Sequence, residues 1–244
     1  MYMQKTFQEV SEIWCSAKRK IVKHSTMCAY MLTLQTHLLP RFGSMTAITE
    51  SDVQRFAIEK CSSGLAKKTV RDIIAVLRGI VKYGGKHKFF PFQQWEIEYP
   101  TNTESRRLST LTLNHQRTLM LYLMEYPTPQ NIGVLLALCT GMRIGEVCAL
   151  RWEDVDFKQK IITVNRTVGR VYNCELKSTE KISSSPKTKN SYREIPISRQ
   201  LLQSLKAVRK VSLSPYVVGV SESSKEPRSC LLYTSPSPRD MRRS

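Results

Sequence analysis

Apolar side chains recur at helical spacing through the first third of the chain. One series follows Thr6, a residue type that caps helices well, and another runs from about Ala66 to Tyr83. Their members are Phe7, Val10, Ile13, Trp14 and Ala17 in the first series, and Val70, Ile73, Ile74, Leu77, Ile80 and Val81 in the other. Each series lies on one face of a helix, so this region is predicted to bury a helical core.

Start and stop signals divide the same region into four predicted helices joined by short loops. Ser25–Thr26 is expected to open the second helix, and Pro40 is expected to end it. Ser51 is expected to cap the third helix, and Gly84–Gly85 is expected to end the fourth. Residues 6–100 are therefore predicted to form a small helical bundle.

The hydrophobic pattern changes in the second half of the chain. Thr112 is expected to cap a helix over Leu113–Glu125, and an apolar helix over Asn131–Cys139 follows it. Three β-rich stretches then predict a three-stranded antiparallel sheet, and Ser198 is expected to cap a last helix. The stretches are Ile161–Val164, Val168–Tyr172 and Ile195–Ile197. The polar run 177–192 is predicted to be the tip of a hairpin, and the fold class is mainly α with a small antiparallel β-sheet.

A change in composition separates these two patterns. Residues 91–108 contain Pro91 and Pro100 and the polar run Thr101–Asn102–Thr103, which is typical of a linker. We predict a helical domain over residues 1–100, a linker over residues 101–108 and a second domain over residues 109–229.

The formal net charge of +18 on 244 residues indicates a polyanionic partner, and nucleic acid is the first candidate. A membrane surface is the alternative, but no apolar run is long enough to span a bilayer and no strongly amphipathic basic helix is evident. The seven cysteines and four histidines are dispersed without metal-ligand spacing. We therefore expect a cytoplasmic, reduced protein without a metal site or other cofactor.

Three basic clusters belong to the predicted bundle, at the end of its first helix and at both ends of its fourth. Such runs are often solvated faces, but three on one small domain favour contacts with phosphate groups. The residues predicted to bind DNA in the first two clusters are Lys18, Arg19, Lys20, Lys23, Lys67, Lys68 and Arg71.

A short segment from Thr140 to Val155 combines a helix break at Gly141 with charged residues at the start of a new helix. Arg143 is predicted to lie in the first turn of that helix, with Glu146 three residues later on the same face. One interpretation is a surface salt bridge between them. The other is a site for an external anion, since a cation gains little from the helix dipole at that end unless a phosphate shares the position.

The whole segment resembles the first catalytic box of the tyrosine recombinases, also called the phage integrase family. The family pattern is Thr-Gly-x-Arg-x-x-Glu-x-x-x-Leu-x-Trp-x-Asp-Ile/Val. All its specified positions are matched, by Thr140, Gly141, Arg143, Glu146, Leu150, Trp152, Asp154 and Val155. The resemblance implies that Arg143 is catalytic and that Glu146 supports it. It also implies that residues 1–100 form the family's core-binding, SAM-like domain, ahead of an α+β catalytic domain.

A second resemblance lies in the predicted hairpin tip. Residues 186–197 are similar to the family's Pro-Lys-Thr-x-x-Ser-x-Arg-x-Ile/Val-Pro-Ile/Leu, in which the lysine is a mobile catalytic residue. This assigns catalysis to Lys187, with Lys189 as a competing candidate. Arg193 is predicted to have a structural or phosphate-contacting role, so it joins the predicted DNA-binding residues.

The last residues differ from the family's expected continuation. The four histidines all precede Arg143, none is followed by Arg at the third position, and Tyr233 comes too early to be the nucleophile. Residues 230–244 resemble a reading frame of the mosaic-end adapter used in sequencing libraries, the alternative being a genuine disordered tail. We therefore expect a catalytic domain that is truncated before its C-terminal box, and a chain that binds DNA without cleaving it.

The resemblance implies a function for the complete protein. Family members carry out site-specific recombination and integration of mobile elements through a 3′-phosphotyrosyl intermediate, without cofactors. They act on double-stranded DNA at attachment sites and assemble there as homotetramers. A non-catalytic DNA-binding protein that shares the helical domain is the competing interpretation.

Overall fold

The computed structural model describes residues 4–89, 91, 94–100, 110–174, 176–184 and 192–219. The chain divides into two compact units, which are described separately. Unit 1 comprises Met1–Leu108 together with Val171–Ser178, and unit 2 comprises Ser109–Arg170 together with Thr179–Ser244. Residues 101–109 and 220–244 lie outside the described residues, so the predicted linker and the predicted foreign tail stay predictions.

Unit 1 is a bundle of helices with short connections. Its elements are α1 (Phe7–Arg19), α2 (His24–Thr33), a π-helical turn (Leu34–Leu38), α3 (Leu39–Phe42), α4 (Glu50–Ser62) and α5 (Lys67–Lys86). The predicted cap of α1 is confirmed, because the Thr6 side chain accepts from the Glu9 N–H while the Glu9 carboxylate accepts from the Thr6 N–H. The four predicted helices are thus present, α2 and α3 forming one continuous helical run.

The prediction that Pro40 ends the second helix is wrong. The helical run continues through Pro40 to Phe42, and Pro40 lies in the first turn of α3. The preceding π-helical turn explains this, since the Leu39 N–H bonds to the Leu34 carbonyl five residues back. This wider register relieves the clash that a proline ring would make with the carbonyl four residues before it in a regular α-helix.

Three other helix ends differ from the prediction. The second helix begins at His24, with Lys23 as its N-cap, rather than at Ser25–Thr26. The cap of α4 is Thr49 rather than Ser51, and it forms a capping box with Asp52. Gly84–Gly85 does not end α5, which continues to Lys86. Gly84 is buried, and a helical glycine costs only about 1 kcal/mol relative to alanine. The packing of a long apolar stripe therefore outweighs the local preference to stop.

The core of unit 1 is aromatic as well as aliphatic. Phe42 lies between Phe7 and Phe56, with ring centroids 6.2 and 5.2 Å away. The predicted apolar stripe of α5 is confirmed as buried core along its whole length. Each fully buried aromatic or aliphatic side chain here contributes about 1.5–3 kcal/mol through the hydrophobic effect, so these contacts determine how the helices pack.

Unit 2 combines helices with short strands. Its elements are α6 (Leu113–Glu125), α7 (Pro129–Thr140), α8 (Ile144–Ala149), a 3₁₀ turn (Trp152–Asp154), β1 (Val155–Asp156), β2 (Ile161–Val164), β3 (Thr167–Asn173), β4 (Ser178–Ser184), β5 (Arg193–Pro196) and α9 (Arg199–Val211). Val171–Ser178, which include the end of β3 and the first residue of β4, are grouped with unit 1. The predicted caps Thr112 and Ser198 are confirmed. The observed class, mainly helical with small antiparallel sheets, also agrees with the prediction.

The strand pairing corrects the predicted sheet. The three-stranded sheet has the order β1-β2-β5, with Ile162 opposite Val155 on one side and opposite Ile195 on the other. The stretch around Val168 does not join it, because β3 pairs with β4 in a separate two-stranded sheet. Part of the predicted polar tip is thus a strand. Most of β4 is exposed, so it lacks the alternation of apolar and polar residues that reveals a half-buried strand.

Candidate functional site

Thr140 and Gly141 determine where Arg143 lies. Gly141 ends α7 in the left-handed conformation with φ of +65°, which glycine adopts without steric cost. The Thr140 hydroxyl donates to the Leu136 carbonyl and accepts from the Met142 N–H. The chain therefore turns sharply, and Arg143 becomes the N-cap of α8 in an extended conformation. The predicted helix thus begins one residue after Arg143 rather than around Met142.

The Glu146 carboxylate is the centre of the site. Its side chain is 3% exposed, and both of its oxygens accept hydrogen bonds from two arginines. Arg143 donates from its backbone N–H at 3.0 Å and from Nη1 at 3.1 Å. Arg193 donates from Nη2 at 2.7 Å and from Nη1 at 3.2 Å. The predicted salt bridge between Arg143 and Glu146 is present, but Glu146 is also paired with Arg193 in a two-pronged contact.

Strand pairing brings Arg193 to this carboxylate. Arg193 is the first residue of β5 and lies opposite Val164 of β2 in the antiparallel register. It is 47 residues away from Glu146 in the sequence, so helical spacing gave no sign of the contact. In the sequence, only the family resemblance pointed to both residues, and it includes Arg193 and Glu146 in two separate motifs.

The charges of the site leave a net positive group at the surface. Burial raises the pKa of the Glu146 carboxyl, but the hydrogen bonds from Arg193 and Arg143 outweigh burial and hold that pKa below its ordinary value of 4.5. The same contact with Glu146 raises the pKa of Arg193. One carboxylate therefore faces two guanidinium groups. The Arg143 side chain is 74% exposed, whereas that of Arg193 is 30% exposed. Arg143 can thus offer N–H donors to an external oxyanion.

The rest of the Thr140–Val155 segment forms the support of the site. Leu150, Trp152 and Val155 are buried in the core of unit 2. Asp154 is also buried, where it accepts hydrogen bonds from the Arg151 N–H, from Asn165 and from Arg166, the last two at 3.0 and 3.1 Å. The Trp152 indole N–H donates to Ser212 at 3.2 Å. These residues fix α8 from its C-terminal side.

Gly145 allows α8 to lie close to the beginning of β3. A Cβ atom at this position would come 2.6 Å from the Thr167 hydroxyl and 2.7 Å from the Val168 carbonyl oxygen. Any larger residue would push the helix away from that strand. Gly145 lies between Arg143 and Glu146, so this displacement would affect the site. The unspecified position of the motif therefore has a steric requirement of its own.

Two predicted site residues cannot be placed. Lys187 and its competitor Lys189 lie in the gap 185–191, outside the described residues. Where the chain is described, no three His, Cys, Asp or Glu side chains lie together in a way that could hold a metal ion. Over the same residues, no helix is long and apolar enough to cross a membrane.

The basic residues of unit 1 form a second candidate region, a nucleic-acid interface. Helices α1 and α5 run antiparallel, since Lys5 lies over the Phe89 ring at 5.6 Å while Trp14 lies beside Gly79. The C-terminal end of α1 and the N-terminal end of α5 are therefore at the same end of the bundle. The predicted DNA-binding residues at these helix ends, Lys18, Arg19, Lys20, Lys23, Lys67, Lys68 and Arg71, define what we call the basic end.

The basic end also offers backbone donors. The N-cap residues of α2 and α5 are Lys23 and Ala66, and neither caps its helix with a side-chain hydrogen bond. By contrast, threonine or serine side chains cap α1, α4, α6, α7 and α9. Uncapped N–H groups at a helix start attract phosphate oxygens. At the starts of α2 and α5, side-chain charge and backbone dipole therefore favour the same kind of ligand.

Profiles of known families match both units. Residues 109–239 match the Phage integrase family, and residues 6–60 match the Phage integrase, N-terminal SAM-like domain. A tyrosine recombinase XerC-like protein of Caldanaerobacter subterraneus subsp. tengcongensis is 27% identical over 189 residues, which cover 69% of this chain and 45% of that protein. Prophage integrase IntR of Escherichia coli is 23% identical over 223 residues, covering 85% and 51%. The chain thus spans about half the length of these curated relatives.

A solved structure shares the fold. The Tn1549 transposon integrase, in complex with a circular intermediate DNA, superposes with a TM-score of 0.70 at 20% identity. The match covers 85% of this chain and 66% of that one. The N-terminal SAM-like unit and the integrase-type second unit are therefore established as the architecture.

The shared carboxylate gives a prediction about stability and pH. Glu146→Gln removes the charge that both arginines face, so we expect it to lower the free energy of unfolding by about 2 kcal/mol at neutral pH. Because the folded-state pKa of Glu146 lies below 4.5, its carboxylate stabilises the fold fully above pH 4.5. That contribution disappears as the pH falls through the folded-state pKa. The difference between wild type and variant should therefore shrink in acid, as measured by urea unfolding over a pH series.

The control for this experiment is Glu125→Gln, at the exposed end of α6, which we expect to leave the unfolding free energy unchanged within about 0.5 kcal/mol. A loss in Glu146→Gln that is equally large at acid and neutral pH would contradict the role assigned to the Glu146 charge.

Proposed function

Because the chain belongs to the phage integrase family, whose profile matches more than half of its length, we propose that it serves in site-specific DNA recombination that integrates a mobile element. The observation that supports this most directly is the exposed Arg143 guanidinium, whose Nη1 is paired with the buried Glu146 carboxylate. A positioned guanidinium with exposed N–H donors can bind a phosphodiester, whereas a surface salt bridge alone would not require such donors. The DNA complex of the Tn1549 integrase, which shares the fold, agrees with this proposal.

In the proposed reaction a tyrosine of the complete protein attacks a DNA phosphodiester. The attack forms a 3′-phosphotyrosyl bond and releases a 5′-hydroxyl, so the energy of the broken bond is kept in the covalent link. Arg143 donates to a non-bridging oxygen of that phosphate and stabilises the negative charge that the non-bridging oxygens carry in the transition state. Lys187 donates a proton to the departing 5′ oxygen, with Lys189 as the alternative donor. This assignment needs neither a metal ion nor a nucleotide.

Glu146 and Arg193 act as positioning residues in this proposal. Glu146 binds both the backbone N–H and the guanidinium of Arg143, which limits the rotation of that side chain. Arg193 donates hydrogen bonds to the same carboxylate, and this contact favours its ionised form. Arg193 was predicted to contact phosphate. Its two-pronged contact with Glu146 favours the structural alternative, and a contact with phosphate stays a prediction.

The proposed partner is double-stranded DNA at attachment sites. We propose that the complete protein binds it as a homotetramer, in the cytoplasm. The basic end of unit 1 is the proposed interface with the DNA backbone. Its seven cations lie at or near helix ends, and at the starts of α2 and α5 the uncapped N–H groups add to the positive potential. This contact is expected to be largely independent of base sequence, because phosphate contacts position a protein on DNA without reading its bases.

Removing charge from the basic end tests the interface. We expect Lys67→Ala/Lys68→Ala/Arg71→Ala to weaken duplex binding and to reduce the slope of log affinity against log salt by about 1 for each lost phosphate contact. Fluorescence anisotropy over a salt series gives both quantities. The matched control removes three charges from unit 2, at the exposed residues Lys158, Lys206 and Lys210. An equal loss of slope in the control would show that general charge, rather than this surface, attracts the DNA.

The catalytic assignment requires a chain that includes the nucleophilic tyrosine. In such a protein, we expect Arg143→Ala and Lys187→Ala each to slow strand cleavage by roughly 10²–10⁴-fold while duplex binding changes little. Lys189→Ala is the matched control, and it separates the two candidate lysines. Retained cleavage in Arg143→Ala would favour the competing interpretation, a non-catalytic DNA-binding protein in which residues 140–155 serve only packing.

We further propose that these 244 residues by themselves do not cleave DNA. Their sequence has no His-x-x-Arg, and Tyr233 lies too soon after the lysine motif to be the nucleophile. Incubation with a nicked suicide duplex should therefore give no covalent protein–DNA adduct on a denaturing gel. An adduct that disappears in Tyr233→Phe would contradict this proposal.

A further inference from the structure

An extended segment, residues 94–99, crosses helices α4 and α5 of unit 1, and we call it the strap. The Gln54 side chain on α4 makes two hydrogen bonds with the backbone of Glu98, donating to its carbonyl at 2.9 Å and accepting from its N–H at 3.0 Å. One helical turn earlier, the Glu50 carboxylate accepts from the Glu96 N–H at 3.2 Å. Two residues of an extended chain and four residues of a helix both span about 6–7 Å. Successive turns of α4 can therefore bond to alternate residues of the strap, as a neighbouring strand would.

The strap is also anchored by its side chains. Trp95 is buried in the core of unit 1, and Ile97 and Tyr99 pack against that core. Arg78 of α5 donates to the Trp95 carbonyl at 2.9 Å. Alternate residues therefore face inward, as in a half-buried strand. The strap ends at Tyr99, directly before Pro100 and the predicted linker 101–108.

Tyr99 lies beneath two cations of the basic end. The Arg71 guanidinium carbon is 5.0 Å from the centre of the Tyr99 ring, and the Lys67 ammonium is 5.8 Å from it. Lys67 and Arg71 are four residues apart on α5, so they lie on the same face of the helix. Burial raises the pKa of the Tyr99 hydroxyl, so the residue attracts the cations through its neutral ring rather than through a phenolate.

This arrangement leaves the donors of both cations available. A cation–π contact uses the face of the ring, whereas phosphate binds to the N–H groups of lysine and arginine. Long basic side chains lose rotamer freedom when they bind, and a side chain that is already restrained loses less. Contact with Tyr99 should therefore strengthen the binding of Lys67 and Arg71 to an anion rather than compete with it.

We propose that Tyr99 is a positioning residue for DNA binding, which holds Lys67 and Arg71 ready for the phosphate backbone; this inference rests on the proposed use of the basic end. Tyr99 is the last residue of the strap before Pro100 and the predicted linker. The end of the strap is therefore in direct contact with Lys67 and Arg71. Binding of DNA at the basic end is then coupled to the docked position of the strap.

The experiment compares Tyr99→Ala with Tyr99→Phe, using fluorescence anisotropy with a short mixed-sequence duplex. We expect Tyr99→Ala to weaken binding roughly 3- to 10-fold, since it removes the ring from both cations. Tyr99→Phe keeps the ring and should bind within about twofold of wild type. An equal loss in both variants would overturn the proposal, because it would trace the effect to the hydroxyl. Tyr122→Ala, an exposed tyrosine of unit 2, is the control for loss of a surface ring and should be silent.

A double-mutant cycle separates positioning from general damage to the fold. If Tyr99 acts through the two cations, adding Tyr99→Ala to Lys67→Ala/Arg71→Ala should weaken binding no further. A full additional loss would overturn the proposal. Gln54→Ala, which removes two hydrogen bonds between α4 and the strap next to Tyr99 and leaves Tyr99 intact, should produce part of the Tyr99→Ala loss. Unchanged binding in Gln54→Ala would contradict the coupling to the docked strap.

Failure of the inference can be told apart from failure of the proposed interface. If Lys67→Ala/Arg71→Ala leaves duplex binding unchanged, the basic end is not the DNA contact and the proposed function loses its interface. If that variant weakens binding while Tyr99→Ala does not, the interface stands and the positioning role of Tyr99 is wrong.

Discussion

The candidate active site depends on one buried carboxylate that two arginines share. An ionised carboxylate away from water is costly unless charged hydrogen bonds satisfy it. Glu146 meets this condition through Arg143 on one side and Arg193 on the other. Each arginine donates to both oxygens, so each carboxylate oxygen accepts one hydrogen bond from each arginine. The position of the exposed cation is therefore a consequence of how the buried anion is satisfied.

This requirement links parts of unit 2 that are distant in the sequence. Arg193 reaches Glu146 only when β5 pairs with β2, and that pairing places Ile195 against Ile162 in the core. The Arg143 backbone reaches the same carboxylate only because Gly141 reverses the chain after α7. Sheet pairing, a left-handed turn and an ion pair thus support one another, which is typical of sites that must hold a geometry before a ligand arrives.

The sequence predicts the features that depend on local chemistry. The Thr6, Thr112 and Ser198 caps, the stripe of α5 and the pairing of Arg143 with Glu146 all follow from spacings of three or four residues. The features it does not predict depend on context. Pro40 stays within a helix because the preceding turn adopts the π register, and β4 is a strand although its residues are mostly polar. The contact between Arg193 and Glu146 likewise requires knowledge of strand pairing, which no local spacing contains.

The family motif itself divides into two physical roles. Its first half places charge at the surface through Arg143, while its second half, from Leu150 to Val155, is buried and satisfies Asp154 with internal partners. A match to the motif therefore reflects packing requirements as much as chemistry. A residue between the specified positions adds a constraint of its own, because a Cβ atom at Gly145 would collide with the beginning of β3. Since Gly145 lies between Arg143 and Glu146 on one short helix, any displacement it suffers moves the cation and its anchor together. Packing at this glycine is thus part of what fixes the position of Arg143 relative to Glu146.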